Sequence, residues 1–343
     1  MQQNTTNRRK TEHIEIIRSN STVDRGKNYF DAIRLAHRAL PEIDLNDVDP
    51  SVTFMGVGLS FPLLISSMTG GDHKLLRTIN RNLASAAESA RVALGVGSQR
   101  VMFDYAGARR SFELRSHAPT TLLFSNLGAV QLNCGYTVEH CRRALDILDG
   151  NALFLHLNPL QEALQPEGNT NYSGLADKIG SIAAELDRPV IVKEVGAGLS
   201  LRDVEMLRER GLTYFDVAGS GGTSWGRIEG MRMDEGDAAA FTDWGLPTPI
   251  ALRRLEPVRQ GITLLASGGL RSGVDMVKAL ILGASLCGMA LPFLEPAMIS
   301  AEAVLKVINR LKKEFIIAMF SLGVTRSEQL IGAESLIAEW TDL

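Results

Sequence analysis

The sequence predicts an α/β protein built as a (β/α)8 TIM barrel, with an N-terminal extension and a C-terminal helical segment. Three observations carry that prediction. Short apolar runs recur between residues 61 and 292, a glycine or polar turn follows each run, and helical patterns fill the intervals. Runs that are apolar on both faces are the mark of parallel strands, because helices cover both sides of such a sheet.

In chain order, residues 1–55 form the extension, polar at first and then helical around Tyr29–Ala39. The barrel core is expected over 56–295, as one domain with the extension and the 296–343 segment. Its eight candidate strands are Phe61–Met68, Val92–Ser98, Thr121–Asn126, Ala152–Asn158, Pro189–Val195, Tyr214–Ala218, Ile262–Ser267 and Leu286–Pro292. Amphipathic spacing predicts helices over Lys74–Ala90, Glu139–Leu148, Gly174–Leu186, Leu201–Arg210 and Ser272–Leu282, with Ala301–Leu322 at the C-terminus. The connection Gly226–Thr248 is longer than ordinary loops, which marks a lid or binding loop. A doubly wound dinucleotide fold would need GxGxxG after its first strand, and that spacing is absent.

Composition narrows the partners. A net charge of -3 over 343 residues makes no electrostatic case for nucleic acid or an anionic membrane. An anionic substrate would therefore need a local basic cluster. No apolar run is long enough to span a bilayer, and Met1-Gln-Gln-Asn-Thr-Thr carries no apolar leader, so a cytoplasmic protein is expected. Cys134, Cys141 and Cys287 lack metal-ligand spacing and read as small buried thiols.

In such a barrel the chemistry gathers at the carboxyl ends of the strands. Here those ends read Ser66–Gly71, Gly97–Arg100, Ser125–Gly128, Lys193-Glu194, Ala218–Thr223, Ser267–Arg271 and Ala290-Leu291. The densest is Leu155–Glu162, "LHLNPLQE". Period-two alternation turns His156 and Asn158 to one face; Pro159 then stops the strand, leaving Gln161 and Glu162 in an exposed turn. "SGGLRSG" sits where a strand passes into a helix, so its glycine amides and the helix N-terminus read as a phosphate site, the alternative being a tight turn with Ser272 capping the helix. Lys193 lies inside an apolar strand and needs an anionic partner, either a carboxylate on a neighbouring strand or a cofactor. Arg100 reads equally as a surface arginine or as a phosphate clamp. The Asn7–Lys10 cluster with Glu12 and His13 reads by itself as a solvated, mobile tail. Glu162 offers a carboxylate for Mg²⁺, a hard cation that prefers oxygen ligands, and one carboxylate does not establish a metal site.

Together these motifs resemble the type 2 isopentenyl diphosphate isomerases, FMN-dependent enzymes of the (β/α)8 class. The resemblance runs from "NRRKTEHI" through "ISSMTGG", "GVGSQR", "LHLNPLQE" and "DVAGSGGTSW" to "ASGGLRSGVDMVKALILGA"; Thr11 departs from an acidic residue common in relatives. It implies that Met68, Thr69, Gly70, Ser98, Asn126, Lys193 and Thr223 contact FMN, with Gly268, Gly269, Leu270, Arg271, Ala290 and Leu291 at its phosphate. It also implies that Arg9, Lys10, Ser98, Gln99, Arg100, His156, Asn158 and Gln161 hold a diphosphate substrate, and that Glu162 binds Mg²⁺. Gln161 is the candidate catalytic side chain. The flavin would be needed in reduced form, supplied by NADH or NADPH, and the enzyme would be a homo-oligomer, tetramer or octamer. A 2-hydroxyacid oxidase would want a histidine in the loop after strand six, which reads "GSGGTSWGRIEG". A dehydrogenase with a nucleophilic cysteine would want a thiol in a catalytic loop, and none of the three cysteines is so placed. A non-enzymatic scaffold leaves His156, Asn158 and Gln161 without a role.

Overall fold

Eight parallel strands close on themselves in chain order. They are β1 Leu63–Ile65, β2 Ala93–Gly95, β3 Leu123–Gly128, β4 Ala152–Leu157, β5 Val190–Glu194, β6 Tyr214–Asp216, β7 Thr263–Ser267 and β8 Ala284–Met289. The computed structural model describes residues 5–26, 28–233 and 236–341. The ring shuts where Met289 of β8 pairs with Ile65 of β1. Each expected apolar run overlaps one strand; the polar residues at most run ends have left the ladder to form the rim.

The helices are α1 Thr5–Ser19, α2 Lys74–Ala90, α3 Val138–Leu148, α4 Pro159–Leu164, α5 Leu175–Glu185 and α6 Leu201–Arg208. They continue with α7 Trp225–Met233, α8 Gly273–Ile281, α9 Leu291–Ile299 and α10 Ala301–Ser321, with two further short helices at Val101–Asp104 and Thr248–Arg254. Local chemistry starts and stops them. Ser200 with Asp203 and Ser272 with Asp275 form reciprocal capping boxes on α6 and α8. The helix α2 buries Leu76, Ile79, Leu83 and Ala87 along one face and ends at Arg91 in the left-handed region. Among the described residues no helix is long and apolar enough to cross a membrane.

Two small antiparallel sheets lie outside the barrel. The hairpin Val52–Phe54/Val57–Leu59 turns on Met55 and Gly56, both at positive φ, as a two-residue hairpin turn requires. Its Val52, Phe54 and Leu59 pack with Leu64, Ala93, Leu122, Phe124, Phe154, Ile191, Leu265 and Leu286, and so plug the amino-terminal end of the barrel. There Phe124 and Phe154 meet edge to face, with centroids 5.4 Å apart. Gly95 makes room for them, because a Cβ at that position would come within 2.9 Å of the Phe154 ring.

The second sheet corrects the expected helix at Tyr29–Ala39. Asn28 caps a single 3-10 turn, Tyr29–Ala32, and Ile33–Leu35 then pairs with Ile337–Trp340 at the other end of the chain. Inter-strand pairing overrides the local helical pattern. The cysteine expectation is corrected as well. Cys141 and Cys287 are buried, and desolvation lifts the Cys141 thiol to about 12, but Cys134 is exposed.

Phe154→Ala should cost about 3–5 kcal/mol by opening the aromatic layer. Urea denaturation checks this; a midpoint within error of the parent would show that the layer does not support the barrel.

Candidate active site

At the carboxyl rim two adjoining cavities make one cleft. The first is lined by Ser66–Thr69 after β1, Gly219, Gly222 and Thr223 after β6, Gly268–Arg271 after β7 and Ala290–Leu291 after β8. The second is lined by Ser98, Arg100, Asn126, Gly128, His156, Asn158, Gln161 and Glu162. Lys10, His13, Met68, Lys193 and Trp225 line both, so they mark the seam.

The first cavity is a backbone cradle. Gly268 has φ +92°, and a Cβ there would lie 2.0 Å from the Gly219 carbonyl oxygen; a Cβ on Gly219 would lie 2.5 Å from the Thr248 nitrogen. The loops after β6 and β7 therefore touch main chain to main chain, which only glycine allows. The N–H groups of Gly269 and Leu270 have no backbone acceptor among the described residues. The helix N-terminus expected to assist them is closed. Asp275 accepts from the Arg271 and Ser272 amides at 2.9 and 3.0 Å, and Glu314 accepts from Gly273 at 2.8 Å. An anion here meets loop amides and the Arg271 guanidinium, which is itself paired with Asp24. Thr69 Oγ1 is buried without a hydrogen-bond partner, a vacancy that a ligand acceptor or donor would fill.

The floor is charged. Lys193 Nζ lies 3.2 Å from Asp216 Oδ2 and donates to Ser267 Oγ at 3.2 Å and to the Glu194 carbonyl at 3.0 Å. Of the two partners considered for Lys193 the carboxylate is thus present, and the ammonium still opens on the cleft. Glu194 folds its own loop around its carboxylate, accepting from the amides of Val195, Gly196, Ala197 and Gly198.

In the second cavity Asn126 settles the tautomer of His156. Its Nδ2 donates to Ser67 Oγ at 2.9 Å and to the Val96 carbonyl at 3.0 Å. Its Oδ1 must then accept, so His156 Nδ1, at 2.7 Å, carries the proton. Burial first, then the charges of Lys193 and Lys10, lower the imidazole to about 4. His156 is neutral at pH 7.

Glu162 is buried rather than lying in an exposed turn. Pro159 opens the short helix α4, which swings Glu162 inward. Its Oε1 accepts from Asn158 Nδ2 at 2.9 Å and its Oε2 from the Asn169 amide at 2.6 Å. Among the cavity-lining residues described, it is the one carboxylate of the second cavity.

Gln161 leads to a residue that sequence reasoning missed. Its Nε2 donates to Glu229 Oε1 at 2.9 Å, and Gln165 Nε2 donates to the same oxygen at 2.7 Å. His13 of α1 stands 3.1 Å from that carboxylate, and Arg232 of α7 donates to its other oxygen at 2.6 Å. Burial raises the Glu229 carboxyl, but bonding and charge from His13, then bonds from Gln161 and Arg232, outweigh it and bring the group to about 2. Glu229 ties α1, α4 and α7 together across the mouth. No spacing in "SWGRIEG" signals this, because besides Arg232 one turn on in α7 its partners come from two distant segments, α1 and α4. Asp216 was missed for the same reason.

The N-terminal cluster is not a free tail. The helix α1 lies on the mouth, and Lys10 Nζ donates to the carbonyls of Gly70 at 2.5 Å and Ser98 at 2.8 Å. The side chain of Arg9 lies outside the described residues. Gln99 is not brought to the cleft. It is wholly buried, donating to the Ala144 carbonyl at 2.8 Å and accepting from the Asn126 amide at 2.9 Å. Gly70 stays behind the lining, where a Cβ would strike the Phe112 ring.

Comparisons with known proteins agree with the fold and place the chain in a family. Residues 156–338 match the family described as FMN-dependent dehydrogenase. The chain is 50% identical over 338 residues to an isopentenyl-diphosphate delta-isomerase of Paracoccus zeaxanthinifaciens, covering 96% of this chain and 97% of the relative. It is 48% identical over 333 residues to the protein of that name from Hydrogenovibrio crunogenus, with coverage of 96% and 97%. Among solved structures, a flavocytochrome b2 variant with sulfite bound superposes with TM-score 0.66 at 19% identity, covering 91% of this chain and 77% of that one. A mandelate oxidase variant with an FMN adduct gives TM-score 0.64 at 18% identity, covering 90% and 88%. At those identities the two structures share the fold.

Glu229→Gln removes the charge on which Arg232 and His13 meet, but Arg232 keeps Glu167 and Glu12, so the loss should be about 1–3 kcal/mol. Limited proteolysis within 226–248 should accelerate ~10-fold; an unchanged cleavage rate would refute the hub. His156 supplies a pH test. Its imidazole titrates near 4 in the fold and near 6.5 when free, so between these values the unfolded chain holds the extra proton. Stability should fall as pH drops through that window, and His156→Gln should flatten the dependence. Parallel pH profiles of the denaturation midpoint for parent and variant would count against it.

Proposed function

This chain belongs to the FMN-dependent isopentenyl-diphosphate delta-isomerases, and from that premise we propose that it interconverts isopentenyl and dimethylallyl diphosphate by a 1,3 proton shift. One observation carries the reading. In a chain of net charge -3, Lys10, Arg100 and Lys193 converge on a cleft beside a glycine-lined cradle. That placement suits a diphosphate on one side and a phosphorylated cofactor on the other.

The residues present fit FMN. The loop amides of Gly269 and Leu270 with Arg271 suit its phosphate, and the unpartnered Thr69 hydroxyl and Lys193 suit the polar edge of its ring. When bound in reduced form, with NADH or NADPH as the source of electrons, FMN supplies the acid–base group for the proton shift. The chain's own residues do the rest. Lys10 and Arg100 hold the diphosphate, and that remote binding energy positions the alkene. His156, neutral and anchored through Nδ1, presents Nε2 to the same cavity. Gln161, fixed by Glu229, orients the reacting end. The helices α1 and α7, joined through Glu229, cover the mouth and exclude water.

Mg²⁺ fits only as an ion shared with the substrate. Among the described residues no group of three His, Cys, Asp or Glu side chains is placed to hold a metal. Glu162 offers one carboxylate, and diphosphate oxygens and water would supply the remaining ligands. We also take the enzyme to be a cytoplasmic homo-oligomer, tetramer or octamer.

An anaerobic assay of isopentenyl diphosphate conversion, omitting FMN, NADPH and Mg²⁺ in turn, tests the reading. Each omission should abolish or sharply reduce turnover, and activity without FMN would sink it. Gln161→Ala should lose about 100-fold in turnover while keeping its flavin absorbance.

A further inference from the structure

We propose that Asp216 is a positioning residue that sets the charge Lys193 presents to the cofactor, and thereby tunes the potential at which bound FMN is reduced. The inference rests on reading the cleft as the FMN site.

The three residues concerned come from adjacent strands. Lys193 of β5 is in register with Asp216 of β6, and Asp216 is in register with Leu265, two residues before Ser267 on β7. Asp216 is fully buried and lines neither cavity, whereas Lys193 lines both and Ser267 lines the first. Asp216 therefore makes no contact with a ligand in the cleft and acts on it by its charge, across Lys193 and Ser267. One carboxylate oxygen is anchored, accepting from Ser267 Oγ at 2.7 Å and from the Ala218 amide at 3.2 Å. The other makes no hydrogen bond and faces the Lys193 ammonium at 3.2 Å, a purely ionic contact. Lys193 meanwhile donates to Ser267 and to the Glu194 carbonyl, so its ammonium is held from three sides.

Summed over the pair the charge is zero, so the floor presents the positive end of a fixed dipole rather than a free cation. A reduced flavin carries negative charge that the oxidised form lacks. Lys193 favours the reduced form, and Asp216, lying behind it in a region shielded from water, opposes that preference. The carboxylate thus moderates how easily the flavin accepts electrons and how tightly each form is held.

The test is the midpoint potential of FMN bound to the holoenzyme, read near neutral pH against reference dyes. Four proteins are compared: the parent chain, Asp216→Asn, Lys193→Met and the Lys193→Met/Asp216→Asn pair. Removing the carboxylate should raise the potential in both backgrounds, and the ratio of oxidised to reduced FMN dissociation constants should rise at least about tenfold. Lys193→Met alone should have the lowest potential, because it leaves a lone buried carboxylate. The neutral double variant carries no unpaired buried charge, so the comparison survives if Asp216→Asn alone fails to fold. An unchanged or lowered potential on removing Asp216 in either background overturns the inference. A parent chain that takes up no FMN overturns instead the cofactor reading on which it rests.

Discussion

Because β8 hydrogen-bonds back to β1, no strand in this barrel has a free edge, and eight parallel carboxyl ends are forced onto one rim. Closure also dictates what each strand must contribute. Side chains facing inward fill the interior with Leu64, Phe124, Phe154, Ile191 and Leu265, and those facing outward seat the helices. The last residues of several strands reach the rim, where polar groups can face the cleft instead of the apolar interior. Lys193, Asp216 and Ser267 lie at the ends of three neighbouring strands, and their proximity follows from register rather than from any local motif.

Charge at the rim is set by desolvation and by the partners placed against it. Lys193 stands beside a buried carboxylate, His156 is kept neutral, and Glu229 is surrounded by donors. Each group is arranged before any ligand arrives, so little reorganisation is left for the binding step. The mouth itself is assembled from parts far apart in the chain. His13 of α1, Gln161 of α4 and Arg232 of α7 meet on one carboxylate, so the N-terminal helix and the long connection after β6 are docked by the same contact. Moving either segment would disturb Gln161, which gives the cover a direct link to the residues inside.

Much of this was legible from residue order. The apolar runs located the strands, and α2 and α10 were readable to within a residue because each buries a continuous apolar face. Failures cluster where long-range contacts decide. Tyr29–Ala39 has helical character, yet Ile33–Leu35 is captured by a strand more than 300 residues away. Gln99 stands in the rim motif, but its amide turns back to bridge the Ala144 carbonyl and the Asn126 amide. The polar tail at Asn7–Lys10 becomes a docked helix because Lys10 finds two carbonyls at the strand ends.

The sequence by itself determined the barrel, its polar rim and the family, since these depend on side-chain periodicity and on motifs contiguous in the chain. Only the tertiary structure decided which polar groups face the cleft and in what charge state. It showed the α8 N-terminus closed by Asp275 and Glu314, Glu162 turned inward by α4, and Asp216 and Glu229 as the counter-charges of Lys193 and Arg232. The physical reason is that desolvation and Coulomb interaction depend on distance in space, and most of the partners that set them here, Asp216 for Lys193 and His13 and Gln161 for Glu229, lie on separate strands and helices.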